Sequence, residues 1–205
     1  MHHLPDKSKY LELARLYDAV PVYRRLICDS LTPVSAFKRI DSGAESCLFE
    51  SVVGGEVVGR YSFLATNPNQ RISARGRELK VITGDQVEIR TVENPLIEFR
   101  NLIESVRVAP LDGMPPFTGG AIGYAGYDAV RYVEDLPNPP EDDRHLSDLS
   151  FAFYDSMLVF DHINKTLTVL ALAWPKKHGS PEEAWQQAAD RVDELVEQLY
   201  TPERD

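Results

Sequence analysis

Between Ser46 and Arg90, short runs of residues alternate between apolar and polar side chains, and this period of two limits what the chain can form. Such alternation places successive side chains on opposite faces of an extended strand. Three turn-forming dipeptides separate the runs: Gly54-Gly55, Asn67-Pro68 and Gly84-Asp85. The pattern predicts an antiparallel meander of strands over residues 47–53, 60–65, 70–76, 78–83 and 86–92.

Three helices are predicted from one pattern, a capping side chain followed directly by proline. The side-chain oxygen accepts a hydrogen bond from the first turn, and the fixed φ of proline suits the first helical position. The pattern occurs at Thr32-Pro33, Asn94-Pro95 and Ser180-Pro181, and we expect these helices to reach residues 40, 106 and 200. A fourth helix is predicted over residues 4–19, where Pro21 would end it.

The remaining segments complete an α+β chain with mostly antiparallel sheets and flanking helices. Residues 20–28 alternate and predict a strand, and the runs 149–161 and 166–174 predict a hairpin around residues 162–165. Residues 109–140 are rich in proline and glycine, so we expect irregular but packed structure there. The order of elements lacks the regular βαβ alternation of a doubly wound sheet. We predict a single domain over residues 1–205.

Charge and composition exclude several classes of protein. The 205 residues carry a net charge of −10, which repels phosphate backbones and anionic lipid, so neither nucleic acid nor membrane is expected as a partner. The polar N-terminal residues do not resemble a secretory signal. Cys28 and Cys47 form no CxxC motif, and a cytoplasmic, reduced protein is expected.

Motifs of catalysis are weak in this chain. No two histidines have the spacing of metal ligands, so no metal site is predicted. Asp161-His162 could imitate part of a catalytic triad, but a turn-forming aspartate is the favoured interpretation. The segment Gly119–Gly126 lacks the spacing of a nucleotide-binding loop and instead predicts close backbone packing.

Glu50-Ser51 is a polar pair at the end of an apolar strand. The two side chains point to opposite faces, so one of them is expected to face inward and to need a partner. Either that side chain is bonded to a neighbouring strand, or the pair lines a pocket for a polar ligand. The residues by themselves favour the structural interpretation.

A set of segments spread along most of the chain carries one specific combination of motifs. These segments are Leu31–Phe37, Cys47–Glu56, Gly59–Leu64, Pro116–Tyr124, Tyr127-Asp128, Val130-Arg131, Glu134–Pro137 and Val159–His162. In order and in spacing they resemble the N-terminal region of anthranilate synthase component I. Phe49 is a small departure, since the family usually has leucine there.

The resemblance implies that catalysis lies outside these residues. Members of the family carry a larger C-terminal domain that binds chorismate and magnesium, and we expect that domain to follow Asp205. No catalytic residue, metal ligand or cofactor is therefore assigned to residues 1–205, and this fragment is expected to be inactive. The implied partners are the C-terminal catalytic domain and the glutamine amidotransferase subunit, component II.

The resemblance also implies regulation by L-tryptophan, which binds between the two domains in the family. The residues of this chain that match the effector segment and the strand beside it are Leu48, Glu50, Ser51, Tyr61 and Ser62. An α-ammonium group needs a carboxylate or hydroxyl acceptor, and an indole needs apolar walls. Two alternatives stay open: component I of aminodeoxychorismate synthase, or a self-standing domain that binds an amino acid or acts as a scaffold.

Overall fold

The computed structural model describes residues 2–28, 30–43, 45–50, 59–138 and 141–201. The helices in these ranges are α1 (Lys7–Ala14), α2 (Pro33–Ile40), α3 (Pro95–Glu104), α4 (Pro181–Tyr200) and a 3₁₀ helix at Tyr127–Tyr132. The strands in the same ranges are β1 (Val20–Ile27), β2 (Cys47–Glu50), β3 (Tyr61–Ala65), β4 (Gln70–Arg75), β5 (Glu78–Thr83), β6 (Gln86–Thr91), β7 (Gly120–Ala125), β8 (Leu149–Tyr154), β9 (Ser156–Asp161) and β10 (Thr166–Ala173).

The chain divides into two compact units, each with its own antiparallel sheet and core. Unit 1 comprises Met1–Asn67, Val106–Gly119 and Asp155–Asp205, and unit 2 comprises Pro68–Ser105 and Gly120–Tyr154. Antiparallel sheets with flanking helices confirm the predicted α+β class. The single domain over residues 1–205 stays a prediction.

Unit 1 is a sheet with helices on one face. Its strands lie in the order β1-β10-β9-β3-β2, and every neighbouring pair is antiparallel. Helices α1, α2 and α4 cover the face that carries the main core. The longest helix, α4, begins where the sequence predicts, because the Ser180 side chain accepts a hydrogen bond from Glu183 N at 3.2 Å. Its apolar stripe, which includes Val192 and Leu195, is buried in that core.

Unit 2 is a second sheet, in the order β6-β5-β4-β8-β7, with its own smaller core. Helix α3 packs against this sheet, where the Phe99 ring stacks on Phe151 with 4.2 Å between ring centroids. The helix begins at the predicted cap, since Asn94 Oδ1 accepts from Leu96 N at 3.0 Å. Helix α2 likewise has Thr32 as its cap, so all three proline-marked helix starts are confirmed.

The predicted five-stranded meander is wrong as a single sheet. Strands β4, β5 and β6 do form a meander in unit 2, but β2 and β3 belong to the sheet of unit 1. The chain leaves the first sheet at Asn67-Pro68, where Asn67 has a φ of 53° and the turn forms no hairpin between β3 and β4. A short polar turn with proline indicates a change of direction, but it does not say which strand pairs next.

Three other element predictions need correction. The helix predicted over residues 4–19 spans only Lys7–Ala14, because Asp6 caps it and Leu4 instead bridges to Tyr23. The run 149–161 is two strands, β8 and β9, which separate at Asp155 and enter different sheets. The segment 109–140, expected to be irregular, contains β7 and the 3₁₀ helix.

Close packing of the glycine-rich segment 119–126 is confirmed at Gly123. This residue lies in β7, and a Cβ atom built on it would be 2.0 Å from the Ser150 carbonyl oxygen of β8. Carbon and oxygen atoms that are not bonded cannot approach so closely, so the backbone spacing of these two strands requires glycine.

Candidate functional site

Leu48, Glu50 and Ser62, three of the five residues predicted to bind tryptophan, share one face of the unit 1 sheet. In the antiparallel pair of β2 and β3, Leu48 lies opposite Leu64, and Glu50 lies opposite Ser62. Directly opposed residues project to the same face. Leu48 packs against the core of unit 1, whereas Glu50, at the last position of β2, is exposed.

Ser62 is a buried polar residue with a partner from a distant part of the chain. Its side chain is 1% exposed, and its Oγ shares a 2.7 Å hydrogen bond with His162 Nε2. The imidazole stacks on Phe160, which lies opposite Ser62 across β3 and β9. The bond satisfies a hydroxyl that would otherwise be buried without a partner.

Tyr61 projects to the opposite face of the same strand. It lies opposite Asp161, and the Arg60 guanidinium sits over its ring at 4.8 Å from the centroid. Arg60 also donates from Nη2 and Nε to Asp161 Oδ2, at 2.8 and 3.2 Å. The structure therefore places Tyr61 with the Arg60–Asp161 ion pair, whereas Leu48, Glu50 and Ser62 lie on the other face.

Asp161 forms the turn that the sequence predicts. Its Oδ1 accepts from Ile163 N and from Asn164 N, both at 3.0 Å, which confirms the turn-forming interpretation. Burial raises the pKa of the Asp161 carboxyl, but the hydrogen bonds from Arg60 and from the Asn164 backbone hold that pKa below its usual value. The carboxylate is thus fixed in its charged form by its own loop and by Arg60.

Ser51, the fifth predicted residue, lies outside the described residues. Of the Glu50-Ser51 pair, the structure places only Glu50, whose side chain is on the same face as buried Ser62 but is itself exposed. Because Glu50 is exposed, a cationic group could reach its carboxylate.

His162 was missed as a site residue by sequence reasoning. A signal was present, since a spacing of two puts His162 on the same face as Phe160 if the strand geometry continues. Its partner is 100 positions away in the chain, and no local pattern shows that β3 lies beside β9. Because Ser62 is buried, the Ser62–His162 pair is suited to holding β3 in place and not to attacking a substrate.

Metal-binding clusters and membrane-spanning helices are both absent from the described residues. No group of three or more His, Cys, Asp and Glu side chains in these ranges could hold a metal ion. Among the helices in the same ranges, none has the length and apolar composition needed to cross a membrane.

Comparison with known sequences finds similarity over most of the chain. A model of the family described as "chorismate binding enzyme" matches residues 46–205. Anthranilate synthase component 1 of Acetivibrio thermocellus is 34% identical over 190 residues, which cover 92% of this chain and 38% of that protein. The Synechocystis component 1 is 35% identical over 204 residues, covering 97% of this chain and 40% of that protein.

A solved structure agrees with the sequence comparison. The crystal structure of anthranilate synthase component I from Streptococcus pneumoniae TIGR4 has a TM-score of 0.54 and 26% identity. The match covers 87% of this chain and 37% of that chain. The chain thus spans about two fifths of the length of the relatives it matches.

Proposed function

Because the chain belongs to the family of chorismate-binding enzymes, we propose that it forms the N-terminal part of an anthranilate synthase component I. That enzyme converts chorismate, with glutamine or ammonia, to anthranilate in tryptophan biosynthesis. The observation that carries this proposal is the similarity to anthranilate synthase component 1 over 92% of the chain or more in the two relatives described above. The proposed role of this part is to bind L-tryptophan as a feedback inhibitor.

The face formed by β2 and β3 supports a role in binding an amino acid. The exposed carboxylate of Glu50 can accept hydrogen bonds from an α-ammonium group. Leu48, two residues earlier on the same face, packs against the core of unit 1 but is only partly buried, so the rest of its side chain can contact an indole. Ser62, held by His162, fixes the strand opposite Glu50. The resemblance also implies Ser51 and Tyr61 as site residues. Because Tyr61 projects to the opposite face of β3, its part in a site on this face stays a prediction.

Tryptophan bound at this face can inhibit the enzyme only if it binds more tightly to one arrangement of the whole enzyme than to another. An effector shifts an equilibrium by no more than its difference in affinity for the two states. We propose that tryptophan binds better to an inactive arrangement of this part and the catalytic part. Variants of the site should then change the inhibition and leave uninhibited turnover nearly unchanged.

In a full-length enzyme that contains this chain, we expect Ser51→Ala to weaken tryptophan inhibition several-fold. A lost neutral hydrogen bond costs about 0.5–1.5 kcal/mol, and one to a charged group costs about 1.5–3 kcal/mol. Glu50→Gln, which removes the charge from the ammonium acceptor, should therefore weaken inhibition about tenfold or more. Inhibition curves measure both effects.

Glu197→Gln is the matched control, because Glu197 is exposed on α4 and distant in sequence from the proposed face. It should leave the inhibition curve unshifted. A wild-type inhibition curve for both Ser51→Ala and Glu50→Gln would contradict the proposed site. Lower melting temperature with unchanged tryptophan sensitivity would assign these residues a structural role.

The purified 205-residue polypeptide is expected to form no anthranilate from chorismate, with ammonia or with glutamine and a glutaminase subunit. We propose that the chemistry belongs to the part of the relatives that this chain does not match, where magnesium would act with the substrate. No step of catalysis is assigned to the residues described here. Magnesium-dependent product above background from the purified chain would overturn this proposal.

The partners follow from the same proposal. The full-length protein would work in the cytoplasm with a glutamine amidotransferase subunit, component II, that supplies ammonia. Anthranilate as the product, identified by its fluorescence and mass, supports the proposal. Formation of aminodeoxychorismate from the same assay would assign the chain to the related folate-pathway enzyme.

A further inference from the structure

Strand β6 is an unprotected edge of the unit 2 sheet. It lies last in the order β6-β5-β4-β8-β7, and all six of its residues are exposed. Val87 and Ile89 on one face are 56% and 58% exposed, and Glu88 and Arg90 project to the other face. An edge strand that is open on both faces can pair with another strand.

The register of the β5–β6 hairpin shows which backbone groups point to the open edge. Val92 N donates to Arg77 O at 2.9 Å, at the position where the pairing of β5 with β6 continues beyond the strands. Hydrogen-bonded pairs alternate along an antiparallel ladder. The N–H and C=O groups of Glu88 and Arg90 therefore point to β5, and those of Val87, Ile89 and Thr91 point outward.

We propose that β6 pairs with β6 of a second copy of this chain, antiparallel and centred on Ile89. In this register Ile89 lies opposite Ile89 of the other copy, and Val87 lies opposite Thr91. All of these residues have outward backbone groups, so the pairs exchange hydrogen bonds in regular antiparallel geometry. The exposed apolar side chains Val87 and Ile89 meet on one face of the joined sheet.

Charge complementarity selects this register and this partner. Centring the pair on Ile89 puts Glu88 opposite Arg90 of the other copy, twice by symmetry, at non-hydrogen-bonded positions where side chains are closest. Centring it on Glu88 or on Arg90 would put like charges directly opposite each other, which is destabilising. Glu98 contacts Arg90 Nη2 at 3.1 Å and would extend the ion pair into a network.

The net charge of −10 opposes association of two copies. Salt at about 0.15 M screens such long-range repulsion while adjacent charges still interact. Sedimentation velocity at that ionic strength, over a wide range of concentration, should therefore show a monomer–dimer equilibrium for the full 205-residue chain.

Charge reversal at β6 is the decisive experiment. Glu88→Arg alone puts arginines opposite each other, and Arg90→Glu alone puts glutamates opposite each other, so each should raise the dimer dissociation constant about tenfold or more. The double variant E88R/R90E should restore association. An equimolar mixture of the two single variants should form heterodimers, because every opposed pair is then of opposite charge.

Glu197→Arg is the matched control for Glu88→Arg, since it makes the same change of net charge on exposed α4, and it should leave the wild-type dissociation constant unchanged. Ile89→Pro is a second test, because it removes an outward N–H that is not hydrogen-bonded to β5 but would bond the second copy. It should abolish the dimer while circular dichroism stays that of the wild type.

Three results would overturn the proposal. The first is a wild-type chain that stays monomeric up to its solubility limit, which would leave the β6 edge to a different partner. The second is a dimer whose dissociation constant is unaffected by the β6 variants. The third is a dimer in which the Ile89 amide exchanges its hydrogen as fast as in the monomer.

Discussion

Gly123→Ala is expected to destabilise unit 2 by about 2–4 kcal/mol. The new Cβ atom would meet the Ser150 carbonyl oxygen at 2.0 Å and the Phe151 Cα at 2.6 Å. Both are backbone atoms of the neighbouring strand β8, so no flexible side chain can move aside. The clash is relieved only if β7 moves away from β8, and this movement breaks the backbone hydrogen bonds between the two strands at the edge of the sheet.

Hydrogen exchange can measure the loss of stability in unit 2, because it reports on the amides of each unit separately. In Gly123→Ala, amides of β7 and β8 should exchange much faster than in the wild type. Fluorescence of Trp174 and Trp185 should change little, because both tryptophans of the chain lie in unit 1. Gly126→Ala is the matched control, since its nearest contact would be an ordinary 3.5 Å to Asp148 O. If the β7 and β8 amides exchanged their hydrogens at the same rate in Gly123→Ala and in Gly126→Ala, this result would contradict the close approach of β7 and β8.

Leu195→Ala is expected to destabilise unit 1 by about 2–5 kcal/mol. Leu195 is 2% exposed on α4, in the core that this helix forms with the sheet of unit 1. Its truncation removes buried apolar contacts and leaves a cavity, and both effects cost free energy of folding. The loss belongs to unit 1, where Trp185 packs against the same core and serves as a fluorescent probe.

Urea unfolding followed by tryptophan fluorescence measures that loss as a lower transition midpoint with an unchanged slope. Glu197→Ala, on the same helix but at an exposed position, should shift the midpoint little. Similar midpoints for the two variants would mean that α4 does not anchor this core.

Local structure could be read from the sequence wherever one short pattern determines it. Thr32-Pro33, Asn94-Pro95 and Ser180-Pro181 each start a helix, because the cap and the proline act within the first turn. The hairpin of β9 and β10 is likewise determined by neighbouring residues. In both cases the residues that decide the structure are close together in the chain.

Strand partners could not be read in this way. Strand β4 pairs with β8, and β3 pairs with β9, so each sheet joins segments that are far apart in sequence. Alternation shows that a run is a strand with one buried face, but it holds no information about which other strand completes the sheet. The division at Asn67-Pro68 and at Asp155 was missed for this reason.

The candidate site shows the same limit. The sequence, through its resemblance, directed attention to Glu50 and Ser62, and the structure puts them directly opposite each other. The hydrogen bond that holds Ser62 comes from His162, which sequence reasoning treated as a loop residue. The contact between Ser62 and His162, which are 100 positions apart, depends on the register of β3 with β9, and no local motif determines that register.

Tryptophan binding at the β2–β3 face is tested most directly by titrating the isotope-labelled 205-residue chain with L-tryptophan and following its backbone amide resonances. Saturable shifts at Leu48, Glu50 and Ser62, weaker in Glu50→Gln and absent at the β6 amides, are the predicted result. We expect weak binding, because the proposal assigns the rest of the site to the part of the relatives that this chain does not match. Unmoved resonances at all three residues up to the solubility limit of tryptophan would contradict the proposed effector site.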